Sequence, residues 1–186
     1  MPEEAGIPGD QKDRPGKSVL REVLESLIIA VVLALLIRTF MFQPFYIPTG
    51  SMEPNLRVQD HIIVNKISYK FGEPERGDIV VFKYPVNPKK DFVKRLIGKP
   101  GERVEIRNSK VYINGSQIPE EYLPAGLKFS DFGPVMVPEN SYLMLGDNRN
   151  NSDDSRVWGP LPRDLIIGKA VLIYWPLDRI QMLSGK

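Results

Sequence analysis

One apolar run constrains this chain before anything else does. Residues 27–37, LIIAVVLALLI, are eleven apolar residues without a break. A helix built from them is apolar on every face, more than a small globular domain can readily cover. Adding residues 39–42, and letting Arg38 extend its charged head to the surface, makes a helix of roughly 16–20 residues, near the minimum that crosses a bilayer. Residues 23–42 are therefore expected to be a transmembrane anchor. A removable secretory leader would end in a small-x-small cleavage site. Here the run ends in RTFMFQPFYIP, nearly all bulky, so the anchor is expected to stay. Lys12, Arg14, Lys17 and Arg21 precede it, and after Arg38 the next basic residue is Arg57. That asymmetry predicts a cytoplasmic N-terminus, with the rest of the chain on the far side of the plasma membrane. Residues 1–22, rich in Pro, Gly and charge, read as a disordered tail.

The 186 residues suffice for one domain plus such an appendage. Beyond the anchor the sequence is a series of β-branched and aromatic runs ended by Gly or Pro: HIIVNKISYKF, GDIVVFKYP, DFVKRLIG, SYLMLGD and KAVLIYWP. VEIRNSKVYINGSQIP alternates apolar with polar, with Asn108-Ser109 and Asn114-Gly115 as turn signals. No long amphipathic helix follows the anchor. The expected fold is mainly β: an antiparallel main domain, residues 43–102 and 140–186, interrupted by a small inserted β subdomain over residues 103–139.

Composition removes several chemistries. The chain has no Cys, which excludes disulfides, thiolate catalysis and Cys-ligated zinc. It has one His, His61, so a His-rich metal site is excluded as well. A net charge of +2, with no basic cluster interleaved with aromatics, argues against a nucleic-acid partner. The stretch IPTGSMEP, residues 47–54, places a hydroxyl, Ser51, in a proline-bracketed turn directly after the anchor. Serine needs a base to become a nucleophile. The options are His61, a carboxylate, or a lysine made neutral by burial. In DFVKRLIG, strand alternation sets Lys94 on one face with Phe92 and Leu96, and Val93 with Arg95 and Ile97 on the other. An exposed lysine covering apolar neighbours with its stem would give the same pattern. The segment GDNRNNSDDSRVWG, residues 146–159, gathers three aspartates, two arginines and two serines in one polar loop. It could be a solvated loop or a calcium loop, although its spacing does not match an EF-hand.

Taken in order, the motifs IPTGSMEPNL, GDIVVF, KRLIGKPGE and GDNRNNSDDSRVWG behind one span resemble those of the bacterial type I signal peptidases. The resemblance covers the exported part outside residues 103–139. It implies a serine–lysine dyad, with Ser51 as nucleophile and Lys94 as general base. Ser152 matches the serine that orients the lysine, and the Thr49 hydroxyl with the Ser51 N–H matches the oxyanion hole. Asp154 with Arg156, and Arg95 with Asp147, match supporting positions. Phe45, Ile47, Pro48, Leu56, Phe92 and Val93 match the lining of small substrate pockets. Implied too are signal peptides of exported preproteins as substrates, cut after small-x-small sequences, a bilayer partner, proximity to the secretion translocon, and no cofactor or metal. Phe92 stands where some relatives have Tyr, and the insertion is short. A branch of the family has histidine as base; Lys94 sets this chain in the lysine branch and leaves His61 a bystander.

Two rival readings make different predictions. A self-processing serine–lysine protease would cut its own chain and no added preprotein. A catalytically silent, membrane-tethered β-module would bind a partner and need neither Ser51 nor Lys94.

Overall fold

The computed structural model describes residues 19–183, without the side chains of Leu20, Thr39 and Phe40. It comprises two compact units, divided between Ile37 and Arg38. The first holds most of helix α1, Val19–Phe40, of 22 residues. The helix starts four residues earlier than the expected anchor, so residues 19–22 of the expected tail are helical; the rest of that tail lies outside the described residues. At the other end it stops at Phe40, because Phe42 already belongs to a strand. Leu27, Ile28, Val32 and Leu36 are all exposed. Among the described residues no helix is long and apolar enough to cross a membrane. The fully described part of α1, residues 21–38, carries Arg21, Glu22 and Glu25 at one end and Arg38 at the other.

The second unit is mainly antiparallel β. Its larger sheet is built from β1 (Phe42–Tyr46), β2 (His61–Asn65), β3 (Ile79–Lys83) and β4 (Asp91–Gly98). A smaller sheet holds β5 (Arg103–Arg107), β6 (Lys110–Ile113), β7 (Ser116–Gln117) and β8 (Phe132–Met136). The chain then returns to the larger sheet with β9 (Ser141–Leu145), β10 (Leu161–Pro162), β11 (Ile166–Trp175) and β12 (Gln181–Met182). The order in the larger sheet is β1-β2-β11-β3-β4-β9-β10, with β12 beside β11; the smaller runs β7-β6-β5-β8.

Period-two alternation explains how the larger sheet is covered on both faces. Along β3, Ile79 and Val81 enter one cluster, with Ile47, Met52, Leu56 and Ile173, while Val80 and Phe82 enter another, with Leu96 and Met144. Along β9, Tyr142 and Met144 share that second cluster, whereas Leu143 and Leu145 join a third with Val104, Ile106 and Val111 of the smaller sheet. Both turns of the smaller sheet take left-handed backbone: Asn108 and Ser109 at φ 53° and 58°, Asn114 and Gly115 at φ 51° and 85°. Those are the conformations that close a two-residue hairpin in keeping with strand twist.

Two features of this fold position the site. β4 pairs with β3 from Asp91 to Arg95, but with β9 only from Arg95 onward. And a single turn of 3₁₀ helix, Gly50–Met52, follows β1.

Candidate active site

Ser51 is partly buried within that turn, while the next side chain, Met52, is wholly buried among Ile47, Leu56, Ile62 and Val64. Met52 is thus the plug that fixes where Ser51 stands. The loop after β9 clamps the turn from the other side. The Asn148 N–H donates to the Ser51 carbonyl at 3.1 Å, and Asn148 Nδ2 donates to the Gly50 carbonyl at 3.0 Å. Gly146 makes the approach possible: a Cβ there would meet the Ser51 carbonyl oxygen at 2.5 Å and Ser152 Oγ at 2.2 Å. Both are closer than real Cβ contacts, so glycine is required by the space rather than by its dihedral freedom.

Lys94 comes from β4, opposite Val80 of β3. Its Nζ lies 2.8 Å from Ser51 Oγ and donates to the Val93 carbonyl at 2.8 Å. The residue is 3% exposed, and the Phe92 ring centroid is 5.3 Å from its nitrogen. Burial penalises the ammonium and lowers its pKa from 10.5 to about 8; the Asp154, Asp153 and Asp147 carboxylates pull more weakly the other way. The open reading of Lys94 as an exposed strand lysine is excluded by this burial.

Two of the three aspartates of the 146–159 loop are spoken for. Asp154 accepts from Arg156 Nε and a terminal nitrogen, both at 2.8 Å, and from the Gly146 N–H at 3.0 Å, and it caps the short helix Ser155–Trp158. Burial alone would raise the Asp154 carboxyl; these hydrogen bonds outweigh it and hold the group below the ordinary carboxylate range. Asp147 is held by Arg95 at 2.8 and 2.7 Å, and by Asn55 Nδ2 at 2.8 Å. Two aspartates each occupied by an arginine do not read as a calcium loop.

Ser152 is brought beside the same turn, but no hydrogen bond joins it to Lys94. Its Oγ is buried and, among the described residues, has no partner at hydrogen-bonding distance and angle. It lies near enough to Asp154 to add a small stabilising pull on that carboxylate, short of a hydrogen bond of ordinary geometry. Thr49 precedes the turn with extended backbone and lines the groove with its side chain uncapped.

That groove, about 260 Å³, runs past Ser51 and Lys94. Of the residues named for the substrate pockets, Ile47, Pro48, Phe92 and Val93 line it. Phe45 and Leu56 do not. Leu56 is fully buried in the core below with Met52, and Phe45 packs on the edge of that core. Both are apolar positions near the motif, and spacing alone could not separate groove lining from the core beneath it. His61 sits between Tyr46 and Tyr174 at ring-centroid distances of 5.3 and 5.7 Å, and among the described residues it makes no hydrogen bond to Ser51 or Lys94. A second cavity of about 420 Å³, between Arg76 and Tyr122, contains no such hydroxyl–amine pair.

Sequence reasoning missed Asn148, Asn55, Asp91 and Asp153, the last two also in the groove wall. For Asn55, Asn148 and Asp153 the available signal was membership of the quoted motifs, since a polar loop has no periodicity to read; Asp91, the first residue of β4, lies outside those motifs and had none.

The chain is also similar in sequence to known proteins. The family model described as "Signal peptidase, peptidase S26" matches residues 20–175. A probable signal peptidase I-2 of Synechocystis sp. is 43% identical over 180 residues, 94% of this chain and 82% of the relative. A signal peptidase I of Leptolyngbya laminosa is 47% identical over 175 residues, 90% of this chain and 85% of the relative. A crystal structure of a signal peptidase I from Enterococcus faecalis V583 is 36% identical, covers 53% of this chain and 97% of that one, and superposes with a TM-score of 0.47.

Proposed function

Since this chain belongs to the signal peptidase family, peptidase S26, and is by that membership a serine endopeptidase, we propose that it removes signal peptides from exported preproteins after small-x-small sites, with Ser51 as nucleophile and Lys94 as general base. The observation that carries this reading is the 2.8 Å contact between Ser51 Oγ and the nitrogen of a lysine that is 3% exposed.

Neutral Lys94 accepts the Ser51 hydroxyl proton as Oγ attacks the scissile carbonyl carbon. A C–O bond forms and the carbonyl electrons move onto oxygen. The Thr49 hydroxyl and the Ser51 N–H stabilise that oxyanion, each donor worth roughly 3–4 kcal/mol in comparable sites. As the C–N bond breaks, Lys94 returns the proton to the leaving amine, and water then releases the acyl group by the same steps. Arg95 with Asp147, and Arg156 with Asp154, hold the strand and loop on which these groups ride. The direct test is incubation of the detergent-solubilised protein with one labelled preprotein bearing an Ala-x-Ala site. Wild type cleaves it and Ser51→Ala does not; cleavage of the enzyme's own chain alone would overturn the assignment.

We also propose that residues 27–37 lie in the plasma membrane with the N-terminus cytoplasmic. Support comes from the unbroken exposed apolar surface of α1 and from the basic residues before it. Tethering raises the effective concentration of the site where preproteins emerge from the secretion translocon, without any new contact.

Activity should rise with pH through the folded-state pKa of Lys94, about 8. A pH profile of kcat/KM checks this, and a rising limb that moved on changing His61 would identify a different base. Ser152→Ala should lower kcat by about 10-fold or more, less than loss of either dyad member, if the buried hydroxyl turns to Lys94 when substrate binds. Kinetics equal to wild type would show that Ser152 does not orient the base.

A further inference from the structure

The groove wall is charged in a way that the dyad does not explain. Besides Lys94 it contains two carboxylates, Asp91 and Asp153. Asp153 is exposed, yet it is held: the Tyr84 hydroxyl donates to its Oδ2 at 3.3 Å. Tyr84 in turn stacks on Phe92, ring centroids 4.2 Å apart and planes 7° from parallel. Phe92 is itself groove wall, so the chain of contacts fixes an acid at the mouth of the groove. Asp91, one residue before Phe92, has Lys83 as its nearest cation, at 4.0 Å and exposed. With Lys94 neutral, as its proposed role requires, the lining carries two negative charges and no positive one.

We propose that Asp153, with Asp91, is a specificity-determining residue that favours substrates with a basic side chain near the scissile bond and disfavours acidic ones. This rests on the reading of Ser51 and Lys94 given above. The reach follows from strand geometry. Asp91 lies three residues from Lys94 along β4, about 10 Å at the rise of an extended strand. An extended substrate therefore presents the relevant side chain within about three residues of the cleaved bond.

The test uses the full-length enzyme in detergent and peptides with one Ala-x-Ala site. Lys, Gln or Glu is placed in turn at each of the three positions on either side, omitting the two small residues. At one or two positions wild type should cleave the Lys peptide about 5–20-fold more efficiently in kcat/KM than the Glu peptide, a span set by exposed charge pairs. Roughly 0.5 M salt should shrink that ratio, because at that ionic strength charges are screened beyond about 4–5 Å. Asp153→Asn should lower the ratio, Asp153→Asn combined with Asp91→Asn should bring it close to one, and Tyr84→Phe, which releases the Asp153 carboxylate, should lower it in part. A ratio near one at every position in wild type, or an unchanged ratio in Asp153→Asn, overturns the proposal. If wild type cleaves none of the peptides, it is the signal peptidase reading that fails. If it cleaves them all alike, only the charge preference does.

Discussion

Lys94→Met abolishes preprotein cleavage while leaving the fold at least as stable at pH 7. The catalytic loss should be about 10⁴-fold or more in kcat. A general base alone contributes about 10²–10⁴-fold, and a base that also activates the nucleophile costs nearly as much as the whole unit when removed. Met is close to Lys in length and has no charge to desolvate. The stability sign follows from the lowered pKa. The folded state gives up the lysine proton near pH 8, whereas the unfolded chain keeps it until about 10.5. Below pH 8 both states are protonated and folding bears the full cost of burying the ammonium, roughly 3 kcal/mol for a drop of that size. Between pH 8 and 10.5 the cost is progressively relieved, so wild-type stability gains from rising pH there. Met escapes the cost but leaves the Val93 carbonyl without the Lys94 N–H, which offsets part of the gain. Single-turnover cleavage and a urea midpoint at pH 7 check the two halves separately. Activity within about 100-fold of wild type would remove Lys94 as the base; a lower midpoint would mean that its amine contributes more by hydrogen bonding than it costs by burial.

What the sequence made legible here is local, and what it hid is contact between distant segments. Asn108-Ser109 and Asn114-Gly115 announced two hairpins because left-handed backbone is a property of the residues at the turn. The face shared by Lys94, Phe92 and Leu96 followed from strand period and holds: Phe92 and Leu96 enter one cluster while Val93 enters another. Its burial did not follow, since that depends on Ser51, 43 residues away, and on the loop that clamps it. The same limit explains the missed polar residues. Asn55 reaches Asp147 across 92 positions and Asn148 reaches Gly50 across 98. Nothing in the character of an asparagine says which carbonyl or carboxylate it will meet. For Ser51 and Lys94 themselves, alternation and turn chemistry left several bases open, and the four ordered motifs narrowed the choice.

Asp147→Ala should cost about 3–5 kcal/mol of stability, the value for breaking one side of a buried ion pair. Arg95 and Asp147 are 2% and 0% exposed and meet through two hydrogen bonds at 2.8 and 2.7 Å. Arg95 also donates to the Gly77 carbonyl at 2.8 Å and lies 3.9 Å from the centre of the Tyr122 ring. Removing the carboxylate strands a guanidinium that cannot shed its charge and that packing prevents from reaching water. A contrast sits on the surface of the same unit. Arg163 and Glu73 also pair at 2.7 Å, but at 36% and 69% exposure, and Glu73→Ala should cost no more than about 1 kcal/mol. Distance is the same in both; burial decides. Activity should fall as well as stability, because Asp147 stands between Gly146 and Asn148, which touch the main chain at Ser51. The pairing Arg95→Met with Asp147→Leu separates charge from packing. If an unpaired buried cation is the cause, the double variant should be more stable than Asp147→Ala, since apolar groups of similar size can replace a buried pair at little cost. Denaturant titration of the three variants decides it. A loss below about 1 kcal/mol in Asp147→Ala would mean that water reaches Arg95 once the carboxylate is gone, and that the pair serves the alignment of the loop more than the stability of the fold.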